Sequence, residues 1–361
     1  MFSSRGRKPF PWPLPAIAIL LLLVGWVAIA RADQFAETGG RYLRQQLLWS
    51  ALGLASMLVA TRPQTRMFMR LSYAALAVTL LFLAAVYWFP AVNGAQRWIR
   101  WGPFSLQPSE FAKLAFVMAL ARYLSHRKST NRLPGLIPPL LLACLPIVLI
   151  LKQPDLGTAM VFVPVLAIML FAAGARTVDL AKFAIVGLLS IPLLWTQMSR
   201  EQQSRVTALF AQAQAGERPA DDGYQLYQSK QMLALGGHGG SLMFGDAVDD
   251  FSVYRLPEAH TDFIFSVVGE RLGWLGAGSV LLLYSLLIWR GAIIAATTQD
   301  PFGQLLAVGI TALFGVQALI NTSMTVGLLP VVGLSLPLIS YGGSGLLAHC
   351  VALGMLMRVG R

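Results

Sequence analysis

Ten apolar runs, near 13–31, 46–61, 71–89, 108–124, 136–151, 158–174, 183–197, 262–288, 302–321 and 342–357, decide what this chain can fold into. Runs of this length, almost free of charge, bury their backbone polar groups in lipid only as helices. Pro13 to Ala30 holds eighteen residues without a charge. Arg5, Arg7 and Lys8 ahead of it and Ala28-Ile-Ala30 behind it imitate a signal peptide. The apolar core is longer than signal peptides use and more spans follow, so the reading is a retained first helix. With 56% hydrophobic and 12% charged residues and a mean hydropathy of +0.63 in 361 residues, a soluble domain or domain pair is excluded. The expected fold is an all-α polytopic membrane protein of about ten transmembrane helices. It has one large extracytoplasmic loop, 198–261, and an irregular segment of re-entrant character before the last helix.

A net charge of +12 would suit nucleic acid, but its distribution argues otherwise. If the N-terminus is cytoplasmic, so are the segments 62–70, 122–132, 175–182, 289–301 and 358–361. The N-terminus and these segments together carry fifteen of the 28 Lys and Arg residues against two acids, Asp179 and Asp300, and the rest of the chain is close to neutral. That is the positive-inside pattern of a multi-pass protein in the cytoplasmic membrane, with both termini inside. Cys144 and Cys350 lie in apolar runs and read as small core residues. His126, His238, His260 and His349 show no ligand spacing, so no structural zinc is expected.

Against this background one stretch stands out, Pro257-Glu-Ala-His-Thr-Asp-Phe-Ile-Phe-Ser-Val-Val-Gly-Glu-Arg271. Glu258 and Asp262 sit where a polar loop runs into an apolar helix. Asp262 would open that helix at its positive dipole end, sharing a small, polar face with Ser266, Gly269 and Gly273. An N-cap beside a packing groove explains these residues structurally. An ionisable group at the mouth of a membrane helix is equally a candidate site.

Further polar features lie around it. Between 93 and 110, Arg97 and Arg100 alternate with Trp98, Trp101 and Phe104, which suits either interfacial anchoring or the holding of a lipid-linked phosphate. Ser109 is placed to cap the fourth span, with Glu110 and Lys113 paired one turn apart inside it. Lys152-Gln-Pro-Asp-Leu-Gly-Thr158 forms a tight turn in which Asp155 caps the sixth helix. Gly236-Gly-His-Gly-Gly240 lacks the context of a phosphate loop and reads as a flexible hinge. After Asn321, Gly327, Pro330, Gly333 and Pro337 recur too often for a spanning helix. Such backbone survives at membrane depth only packed in protein or lining a cavity.

Arg97-Trp-Ile with Gln107-Pro-Ser-Glu110 and Lys113, Gln153-Pro-Asp-Leu-Gly-Thr158, Pro257-Glu-Ala-His-Thr-Asp-Phe-Ile-Phe265, Gly327-Leu-Leu-Pro-Val-Val-Gly333 and Ser340-Tyr-Gly-Gly343 fall in one order. In that order they resemble the SEDS family (shape, elongation, division and sporulation), membrane glycosyltransferases of bacterial peptidoglycan. The resemblance covers all ten spans and implies a single SEDS-type membrane domain over 1–361. It implies polymerisation of lipid II on the outer face of the cytoplasmic membrane, with undecaprenyl pyrophosphate leaving, beside a class B penicillin-binding protein (a transpeptidase). It places the family's important loop acid on Asp262 and its fourth-span pair on Glu110 and Lys113. Arg271, Gly236-Gly-His-Gly-Gly240 and Thr322-Ser323 depart from the family pattern. The short tails resemble the elongation (RodA-like) branch, while Leu256-Pro-Glu-Ala-His-Thr261 is closer to the division (FtsW-like) branch; the lean is to elongation and cell shape.

The implied reaction needs a base for a sugar hydroxyl and cations for a pyrophosphate. Asp262 is the candidate base, and His260 its rival. Arg97, Arg100, Lys113 and Lys152 are candidate cations. Glu110, Asp155, Ser340 and Tyr341 complete the expected substrate-binding set. No resident cofactor is implied, although the pyrophosphate admits a divalent cation. A lipid II flippase and a non-catalytic scaffold for the transpeptidase are the alternatives; the flippase would line a path at both membrane faces.

Overall fold

The computed structural model describes residues 11–36, 38–91, 95–101, 104–126, 135–197, 200–211, 222–246 and 256–361. Arg5, Arg7, Lys8, Arg127, Lys128 and Arg132, which count among the fifteen basic residues, lie outside them, as do Asn93, Gly94, Gly102 and Pro103. Each apolar run is a helix or most of one. The first seven are α1 (Pro13–Phe35), α2 (Arg41–Ala60), α3 (Thr65–Ala85), α4 (Pro108–Ser125), α5 (Ile137–Lys152), α6 (Leu156–Ala172) and α7 (Thr177–Gln197). After α7 come α8 (Arg200–Ala211), α9 (Asp222–Leu235) and α10 (Gly240–Phe244), and then α11 (Ile264–Thr297), α12 (Pro301–Val326) and α13 (Gly343–Val359). Among the described residues four helices, α1, α3 with the turn that follows it, α11 and α12, are long and apolar enough to cross a membrane. The shorter α5, α6 and α13 are also apolar.

Burial orders these helices. In the apolar window of α12 78% of the residues are buried, against 22% for α3, so α12 is central and α3 peripheral. Leu81, Leu141, Leu145 and Val163 are exposed on the outer helices, a cost in water and none in lipid. Cys144 is exposed with them while Cys350 is buried, and both are free; only Cys350 is the core residue expected.

Three differences from the expected fold have physical causes. The fold, expected to be all-α, also holds β1 (Ile99–Trp101) and β2 (Phe104–Leu106), an antiparallel ribbon with Arg100 opposite Ser105. Among the described residues the loop between α7 and α11 carries three helices, whose mixed polar composition hides any simple period. Finally, Gly236 and Gly240, in the stretch expected to be a flexible hinge, are packed against α11. A Cβ on Gly236 would stand 1.9 Å from the Gly269 carbonyl oxygen, so only glycine lets α9 lie on α11. Trp274 N donates to Gly237 O at 2.9 Å. There α11 breaks at Gly273, whose φ of +69° suits glycine.

Candidate functional site

The site begins with the turn that precedes α11. The Glu258 carbonyl accepts from the amides of Thr261 (3.1 Å), Asp262 (3.1 Å) and Phe263 (3.3 Å). Glu258 itself has φ +54°, a conformation that costs a non-glycine residue about 1–3 kcal/mol and persists only where its surroundings enforce it.

The irregular segment between α12 and α13 supplies that enforcement. Ser340 Oγ donates to Thr261 O (2.6 Å) and accepts from Leu336 N (2.7 Å). Tyr341 N donates to His260 O at 2.9 Å, and its hydroxyl to Gln45. Asn321, fully buried in α12, donates from Nδ2 to the carbonyls of Asp262 (2.8 Å) and Leu334 (2.6 Å). One amide thus fixes both walls of the site. Leu338, at φ +68°, is the second non-glycine outlier in this clamp. Gly333 approaches so closely that a Cβ there would lie 3.3 Å from Asp262 Oδ2.

Asp262 does not cap α11. The helix starts at Ile264, with Phe263 in the cap position and no side-chain cap bond. The face it was expected to share is broken: Ser266 Oγ meets Ser229 Oγ of α9 at 2.6 Å, and Gly269 packs against Leu233. That small, polar face therefore seats α9, while Asp262 points elsewhere.

It lines a cavity of about 330 Å³, together with Arg97, Arg205, Glu110, Glu258 and His349. Among the described residues no side chain donates a hydrogen bond to its carboxylate. Burial and the neighbouring Glu258 push its carboxyl up to about 7, against the pull of Arg205 and Arg97. Arg97 is held in place by the turn before α6, its Nε donating to Gln153 O at 3.2 Å and its guanidinium also to Pro154 O. Asp155 caps α6 through Thr158 N at 3.1 Å and accepts from Gln107 at 3.4 Å.

The expected site residues separate. Asp262, Arg97, Glu110, Ser340 and Tyr341 line the cavity. Lys113 is buried beside it, donating to Glu110 Oε1 at 2.7 Å. Asp155 is buried close enough to raise the Asp262 carboxyl further. Arg100 and Lys152 are exposed and do not line it. His260 stacks on Tyr42 (4.1 Å, 13°), and burial holds it below the usual imidazole value. Ser109 does not cap α4, where Gln107 holds the cap position and Pro108 opens the helix. Arg205, Asn321 and His349 were not expected. Arg205 sits in a polar loop without period, whereas Asn321 and His349 are polar groups inside apolar runs, a signal that marks a candidate site.

The bundle closes a broken segment over a half-buried acid and two arginines that share one cavity. The chain belongs to the FtsW, RodA and SpoVE family (the SEDS family): the profile described as "Cell cycle protein" matches residues 12–361. It is 37% identical over 354 residues to the probable peptidoglycan glycosyltransferase FtsW of Geobacter metallireducens, covering 95% of this chain and 92% of that protein. It is 34% identical to stage V sporulation protein E of Bacillus subtilis, over 96% of each. Among solved structures, one matches at TM-score 0.80 and 30% identity over 98% of both chains. That structure is described as the structural coordination of polymerization and crosslinking by a peptidoglycan synthase complex. The rod shape determining protein RodA of Thermus thermophilus matches at TM-score 0.73 and 28% identity, over 98% of this chain and 97% of that one.

Proposed function

We propose that this protein is a peptidoglycan glycosyltransferase that joins lipid-linked disaccharides into glycan strands. The observation that carries the reading is the meeting of Asp262 with Arg97 and Arg205 in one cavity. A sugar hydroxyl of the acceptor attacks the anomeric carbon of the donor, forming the glycosidic C–O bond. The anomeric carbon–phosphate oxygen bond breaks, and the polyprenyl pyrophosphate leaves with the electron pair. Asp262 takes the hydroxyl proton. A carboxyl poised at about 7 suits a base working near neutral pH. Arg97 and Arg205 meet the charge on the leaving group, each with a planar fork of donors that matches phosphate. An α-linked donor and a β-linked product require one inverting displacement and no covalent enzyme intermediate. Ser340, Tyr341 and Asn321 hold the turn that carries Asp262, and Glu110 and Lys113 form the paired floor.

In this reading the chain is one membrane domain with ten spans and both termini cytoplasmic. Its cavity opens on the outer face, and a class B penicillin-binding protein docks beside it. The positive-inside distribution supports the orientation, and the likeness to a synthase complex supports a partner of that type. The FtsW relatives support the division-type branch over the elongation branch that was expected. Clustering of the candidate charges at one end of the bundle favours polymerisation over flipping. Purified protein given labelled lipid II should yield glycan strands, faster with the transpeptidase than alone. Transport without strand growth would overturn the reading.

A further inference from the structure

A second cavity of about 540 Å³ lies on the other side of the Glu258 turn, between the end of α1, the start of α2 and the first turn of α9. Phe35, Tyr42, Tyr224 and His260 line it, and Glu258 borders both cavities. Chemically the two are opposites. The first contains two arginines; among the described residues the second is lined by no Lys or Arg, and the carboxylate that lines it is Glu258. An anionic phosphate is therefore favoured in the first and disfavoured in the second. Aromatic walls with a few polar groups at the edge suit a neutral polyol. The C–H face of a pyranose packs on the negative face of a ring, and its hydroxyls reach the polar rim.

The walls are held rigidly. Tyr42 stacks on His260 and meets Tyr341 edge-on at 5.0 Å and 62°, and Tyr341 lines the first cavity. Gln228 Nε2 donates to the Tyr224 hydroxyl at 2.7 Å, which leaves that hydroxyl's own proton for a ligand. Glu258 Oε2 accepts from Thr261 Oγ1 at 3.0 Å and stays exposed, with acceptor capacity to spare.

We propose that this second cavity is a saccharide site, holding the amino-sugar units of the acceptor while the arginine cavity holds the pyrophosphate of the donor. It rests on the glycosyltransferase reading and adds where the second substrate lies. Glu258, common to both cavities, is the point at which the acceptor hydroxyl is handed toward Asp262.

The test uses full-length protein in detergent and N,N′-diacetylchitobiose as a neutral amino-sugar probe, followed by saturation-transfer NMR. Wild type should give a saturable signal. Tyr42→Leu and Tyr224→Leu, on separate helices, should each weaken it about fivefold to tenfold, the worth of a lost ring contact. Tyr42→Phe and Arg97→Met should retain it. In strand synthesis the two Leu variants should raise KM for lipid II by a similar factor with kcat within about threefold, the signature of lost uniform binding. Absence of signal in wild type overturns the proposal, as does equal signal in both Leu variants. Loss of signal in Arg97→Met would put the sugar in the other cavity and also overturn it. Saturable binding by a wild type that makes no glycan would sink the enzyme reading and leave the sugar site standing.

Discussion

Glu110 and Asp262 line the same cavity, yet one is paired and the other is not. Glu110 sits in the first turn of a buried helix with Lys113 at 2.7 Å, and its second oxygen lies 4.0 Å from His349 Nε2. Asp262 sits on a strained turn with arginines across a cavity and no donor on its carboxylate among the described residues. The paired acid is an ion held by structure, and removing either partner strands a charge. The unpaired acid is held by its backbone, through Asn321 and the Ser340–Thr261 contact, and its carboxylate is left to exchange a proton. A membrane enzyme needs both kinds, one to build the floor and one to react.

The largest expected effect breaks the paired member. Lys113→Met should destabilise the protein by about 3–5 kcal/mol, because it leaves Glu110 buried without its counter-charge. The double variant Glu110→Gln with Lys113→Met should recover most of that loss in thermal unfolding in detergent. Equal destabilisation by the single and double variants would remove the pair from the account. Next is the support of the unpaired member. Asn321→Ala frees the carbonyls of Asp262 and Leu334, and a shift of the turn by about 1 Å should slow strand synthesis about 10–10²-fold. Unchanged kcat would show that the clamp does not position the acid.

A smaller effect concerns pH and stability. The Asp262 carboxyl titrates at about 7 when folded, against an ordinary value of 3.8. Between these values the folded protein holds a proton that the unfolded chain has released. Its contribution to stability is therefore complete below about 4 and is lost as pH rises through about 7. Asp262→Asn escapes that loss, so at pH 8 it should be more stable than wild type. The gain should be about 1 kcal/mol, once solvent reaching the half-buried side chain is allowed for. At pH 4 the two should match. A variant less stable at both pH values would mean that Asp262 is structural.

Much of this was legible in the sequence. The apolar runs mark the helices because lipid demands continuous apolar length, and Gly327, Pro330, Gly333 and Pro337 mark the broken segment because no spanning helix tolerates them. The Glu110–Lys113 pair follows from (i, i+3) spacing alone. Other features depend on contacts far apart in the chain. Arg205 reaches the cavity through the placing of α8, which no local pattern encodes. The glycines at 236–240 look flexible until α11 is laid against them, when Gly236 and Gly240 become close approaches. Asp262 looked like a cap because helix starts are uncertain by a residue or two, and a shift from 262 to 264 turns its side chain from the helix into the cavity.

The most direct measurement is the pH profile of strand synthesis from lipid II by wild type and Asp262→Asn, with His260→Ala alongside. The account predicts a wild-type rate that climbs with pH through about 7 as the base loses its proton. It predicts an Asp262→Asn rate lower by about 10²–10⁴-fold without that limb, in a protein that melts no lower than wild type. His260→Ala should keep the limb. An Asp262→Asn variant that polymerises normally, or a limb that vanishes only in His260→Ala, would contradict it.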